Sequence, residues 1–134
     1  MKEEISFKVT MNEGYEPSLN KLSEALKAEG FGILTQIDVQ KTLKEKIGVD
    51  FRRYAILGVC NPKLAHRALS HNAESGMLLP CNVTIESETE LETVVRIIDP
   101  VIMLSIGQLE EDKILEQVGK EAQEKLLRVV NNLK

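Results

Sequence analysis

Leu79-Pro80-Cys81-Asn82-Val83-Thr84-Ile85 is followed, beyond the polar run Ser87-Glu88-Thr89-Glu90, by Leu91-Glu92-Thr93-Val94-Val95-Arg96-Ile97-Ile98. This stretch decides the fold class. Leu79, Cys81, Val83 and Ile85 fall on one face at a period of two, the signature of a half-buried strand. A second apolar run so close behind it predicts a hairpin, and a hairpin makes antiparallel pairs. Pro80 cannot donate to a ladder, so the first of the two runs reads as an edge strand or as one broken by a bulge. Asp99-Pro100 ends the second run.

Upstream, Ile5, Phe7 and Val9 alternate with polar residues as a first strand. Leu19, Leu22, Ala25 and Leu26 make the apolar stripe of a helix. Pro17 suits its first turn, and Gly30 the left-handed position past its end. Phe31–Ile37 reads as a second strand. Asp38 caps a short helix with the stripe Val39, Leu43 and Ile47, stopped at Gly48. Phe51–Val59 is apolar enough for a central strand. Asn61-Pro62 opens a helix through about Leu69, with Asn as cap and Pro at the first helical position. A loop follows at 72–76. The run 101–106 is too short to separate strand from helical turn. A last helix starts near Leu109, with Glu110, Glu111 and Asp112 in its first turn, and buries Leu115, Val118, Ala122, Leu126 and Val129. The order is β-α-β-α-β-α-β-β-α. It predicts an α+β domain, a largely antiparallel sheet with helices packed on one side.

A chain of 134 residues without a Pro/Gly/Ser linker reads as one domain, 1–134. Its aromatic content is 4% with no Trp, and its formal net charge is −4. Both argue against nucleic acid as a partner, because single-strand sites stack bases on aromatics and duplex readers are basic. No apolar run approaches the roughly 18 residues of a membrane helix, and Met1-Lys2-Glu3-Glu4 leads into a strand with no signal core. The expectation is a cytoplasmic protein without membrane contact, its two cysteines reduced. Charge is uneven along the chain: residues 41–73 carry seven basic and two acidic side chains.

Chemistry concentrates at Cys60-Asn61-Pro62, His66, Cys81 and Asn82. Cys60 ends one strand, Cys81 lies near the start of the next, and a helix starts between them. If the strands are antiparallel neighbours, both sulfurs reach the same end of the sheet. The helix's free N–H groups there favour an anion and a lowered thiol pKa. On a helical wheel His66 lies about 130° from the apolar centre of its helix. Two readings stand: a small-ligand site, anionic or thiol-dependent, formed by Cys60, Asn61, His66, Cys81 and Asn82, or buried cysteines beside a surface histidine. Lys46, Arg52 and Arg67 are candidate anion contacts. Cys-x-x-Cys and one-turn His pairs are missing, so no metal is assigned. No motif names a cofactor or a reaction. The run 101–106 is a candidate core segment or dimer contact.

Phe31-Gly32-Ile33-Leu34-Thr35-Gln36-Ile37-Asp38, Tyr54-Ala55-Ile56-Leu57-Gly58-Val59-Cys60-Asn61-Pro62, Ala65-His66-Arg67-Ala68-Leu69 and Leu78-Leu79-Pro80-Cys81-Asn82-Val83 together resemble the domain-of-unknown-function 302 family. The resemblance implies a fold similar to one repeat of the TATA-binding protein, and a homodimer. It implies neither DNA binding nor catalytic residues. The alternative to a ligand site is therefore a homodimeric interaction module with no chemistry of its own.

Overall fold

A computed structural model describes residues 1–134. Five strands form one antiparallel sheet: β1 (Ser6–Met11), β2 (Gly32–Asp38), β3 (Tyr54–Cys60), β4 (Cys81–Thr89) and β5 (Glu92–Ile98), in the spatial order β1-β5-β4-β3-β2. The helices are α1 (Tyr15–Ala28), α2 (Val39–Ile47), α3 (Pro62–His71), the short α4 (Pro100–Met103) and α5 (Lys113–Leu133). The α+β class, the helices on one side and the order of elements all hold.

The hairpin is the centre of the sheet. β4 pairs with β5 on one side and with β3 on the other, with Val83 opposite Ile97 and Leu57 opposite Val83. This overturns the edge-strand reading of Pro80. Pro80 lies just outside the ladder, before Cys81, the first residue paired to β3, so its missing N–H costs no bond. Leu91 forms the exposed tip of the turn rather than the first strand residue.

Alternation does the rest. Phe7, Val9, Ala55, Leu57, Val59, Cys81, Val83, Ile85, Val95 and Ile97 bury toward the helices. Leu22 and Leu26 of α1, Leu64 and Ala68 of α3, and Leu115, Val118, Ala122, Leu126 and Val129 of α5 close over them in one continuous aliphatic core. The caps follow the sequence. Asp38 accepts from Lys41 N–H (3.0 Å), and Asn61 from Leu64 N–H (3.3 Å). Gly30 (φ 82°) and Gly48 (φ 70°) take the left-handed conformation past α1 and α2.

Elsewhere the chain departs from expectation. Residues 73–78 form a 3-10 turn instead of a loop, and the ambiguous run folds as α4, burying Met103 and Leu104. Glu110 and Glu111 belong to a 3-10 turn before the last helix. The cap of α5 is Asp112, which accepts from Ile114 N–H (3.0 Å) and Leu115 N–H (3.1 Å). Bonding to Leu115 N–H, and then to His71, holds its carboxyl below the usual range. No helix is long and apolar enough to cross a membrane.

Candidate functional site

β3 and β4 run antiparallel with Val59 opposite Cys81, so Cys60 at the end of one and Cys81 at the start of the other occupy the same end of the sheet. Asn61 then turns the chain into α3, whose apolar face lies back over that end. Between this face, the start of β2, the 73–78 turn, α4 and α5 lies a cavity of about 350 Å³. Leu64, Ala65, Ala68 and Leu69 of α3 line it, with Leu34, Val59, Cys60, Cys81, Met103 and Val118 among the other walls. Its lining contains no Lys, Arg, His, Asp or Glu.

The cavity brings together three of the five predicted ligand residues: Cys60, Asn61 and Cys81. The other two lie elsewhere, each for a definite reason. His66 is exposed and does not line the cavity, because the cavity sits against the apolar side of α3 and the imidazole leaves on the other. Asn82 is exposed on the opposite face of the sheet from Cys81, since successive strand residues alternate faces. It borders a second depression, with Tyr54, Thr84 and Arg96.

The candidate anion contacts do not join the site either. Arg52 donates to Glu86 (2.8 Å) and stacks over the Phe51 and Tyr54 rings, 4.5 and 5.5 Å from their centroids. Lys46 is exposed in the last turn of α2. Arg52 lies beside Tyr54, and the length of β3 separates that end from Cys60 by about 20 Å, while Lys46 does not line the cavity. Arg67 does lie on α3, but it pairs with Glu121 of α5.

Both thiols are governed by burial. Desolvation raises the Cys60 pKa. Cys81 is pushed up to about 11, by desolvation first and by the neighbouring Cys60 second. With both pKa values raised, both groups stay protonated at neutral pH. Asn61 is occupied on both sides of its amide: its oxygen caps α3, and its NH₂ donates to Glu29 C=O (3.3 Å). Apart from Thr35, what remains facing a guest is hydrocarbon and neutral sulfur.

Leu34, Leu79, Pro80 and Met103 also line the cavity, and no local pattern marks them as site residues. They come from three segments that reach α3 only through tertiary packing. Pro80 shows this best: with Thr35 it lies over Gly58, where a built Cβ would stand 2.8 Å from Pro80 Cγ and 2.3 Å from Thr35 Oγ1. Only glycine admits that approach.

The family described as Domain of unknown function DUF302 matches residues 7–133. The chain belongs to the DUF302 family. A similar solved structure is that of an uncharacterized conserved protein DUF302 from Bacillus stearothermophilus. It shares 29% identity at a TM-score of 0.86, over 98% of this chain and 100% of that one. No curated protein matches the chain. The cavity-lining Cys60, Asn61 and Cys81 fall inside the stretch matched to DUF302.

Proposed function

We propose that this DUF302 domain is a small-ligand-binding module whose site is the cavity between the β3–β4 end of the sheet and α3. One observation carries the reading: a concave, mostly apolar space of about 350 Å³ that two cysteines line. Ligand pockets are of this size and character, apolar walls with a few placed polar groups. Leu34 and Leu69 are both exposed and part of the lining, so the space communicates with solvent at their side. Native mass spectrometry of freshly purified protein tests this by detecting a retained small molecule. Ala65→Trp fills the cavity from a half-buried position of α3. We expect an adduct, or a thermal shift on screening small molecules, that is lost in Ala65→Trp. Parent and variant behaving alike would sink the reading.

A second reading is favoured by a different observation. α2 is amphipathic yet buries no residue. Around it and the edge strand β2, Leu34, Ile37, Ile47 and Val49 are 65, 51, 67 and 43% exposed. β2 carries neither Lys nor Pro, the usual protection of a free edge. A second copy of the chain, paired through this corner, covers it as an isologous homodimer. Sedimentation analysis decides. A dimer that Ile37→Lys dissociates supports the reading, and a monomeric native chain rules it out.

A further inference from the structure

The cavity's walls define its guest more closely than size alone. Every charged side chain is absent from the lining, and the one amide there, Asn61, has its oxygen and nitrogen engaged by the protein itself. A charged guest would leave its hydration shell for no partner, a cost far above any apolar gain. The volume also speaks. An apolar cavity of roughly 150 Å³ holds one benzene ring, and this one is about 350 Å³, which gives room for two fused rings.

Sulfur completes the picture. Cys60, Cys81 and Met103 all line the same space, and only one aromatic residue, Phe31, does so. Polarisable sulfur packs favourably against aromatic rings. A lining with three sulfur residues and little aromatic character of its own is therefore complementary to a ring supplied by the guest.

We infer that the cavity takes an uncharged two-ring aromatic molecule, of the size of naphthalene or indole, held by aliphatic contact and by the sulfurs of Cys60, Cys81 and Met103. The inference rests on the small-ligand reading above and names the class of ligand for the same site. Burial supports it independently, because it keeps both thiols in the neutral form that a neutral ring requires.

The chain has no Trp, so the fluorescence of naphthalene reports its own binding. The experiment titrates the intact protein with naphthalene, with 1-naphthoate, and with decalin as a displacing competitor of similar size but no π-system. Saturable naphthalene binding is expected, with 1-naphthoate and decalin each at least about tenfold weaker. The triple variant Cys60→Ala, Cys81→Ala, Met103→Leu should weaken naphthalene about tenfold while leaving decalin unchanged. Where that variant fails to fold, Met103→Leu alone, which conserves volume, should weaken naphthalene severalfold.

Equal affinity for 1-naphthoate overturns the neutral class. Equal affinity for decalin, or indifference to loss of sulfur, overturns the aromatic class while leaving the cavity as the site, provided Ala65→Trp abolishes binding. No binding of any of the three overturns the aromatic class, and a parent that also shows no retained adduct and no thermal shift lost in Ala65→Trp overturns the small-ligand reading as well.

Discussion

Cys81 shows how one side chain acquires its chemistry from its neighbours. It sits on the helix side of β4, 6% exposed, among aliphatic groups, and desolvation, followed by the charge of Cys60, moves its pKa from 9.0 to about 11. The folded state thus holds the proton more tightly than the unfolded chain. Its contribution to stability is complete below pH 9 and is lost as pH rises through about 11. Denaturant unfolding should show about 2–3 kcal/mol lost across that window, and Cys81→Ala should remove this component from the pH profile. Gly58 makes the complementary case. A methyl group there meets Thr35 and Pro80 at distances no real Cβ tolerates. Gly58→Ala should destabilise by about 1–3 kcal/mol, measured by denaturant midpoint, and Thr35→Ala in the same chain should recover part of it.

At the scale of elements, the beginnings of α2 and α3 were the most legible part of the chain. Asp38 and Asn61 were readable as caps because an N-cap bond closes within a few residues and needs no tertiary partner. Asn61→Ala should cost about 1 kcal/mol by the lost cap alone. Its lost bond to Glu29 C=O, which ties α3 to the end of α1, should raise that measured cost above the loss from Asp38→Ala. α4 was illegible for the opposite reason. Its four residues have no period of their own. They are placed by α5, where Gly119 lets Pro100 C=O and Val101 Cα come within 3.2 and 3.3 Å of a built Cβ. Gly119→Val should therefore loosen α4, lower the thermal midpoint and open the Met103 wall of the cavity.

On the scale of the whole molecule, charge is the lesson. Residues 41–73 are strongly basic in the sequence, a pattern that by itself suits an anion. The fold answers much of it internally: Arg52 bonds Glu86, Arg53 bonds Glu16, Arg67 bonds Glu121 and Lys44 bonds Asp50 (2.9 Å). Glu86 is the centre of the largest such network. It is 6% exposed and lies between Arg52 and Arg96, while Arg96 also reaches Glu3 (2.9 Å). Glu86→Gln should cost about 1–3 kcal/mol, because two guanidinium groups lose a charged acceptor, and added salt should narrow the gap between the two proteins.

Periodicity, caps and breakers in the linear chain were enough to establish the class of fold and its element order, because each follows from contacts within a few residues or from a single hairpin; the meeting of Cys60 with Cys81 at one sheet end needed the β3–β4 pairing, which only the tertiary structure supplies. Which side of α3 the cavity lies on was beyond them. So were the central rather than marginal position of β4, the exclusion of His66 and Asn82 from the site, and the pairing of Arg52 and Arg67. These depend on strand order and on which faces of distant segments are pressed together, and burial is a property of that packing. A residue's type says what it can bond or bury, and its surroundings, assembled from residues far along the chain, say which of these it does.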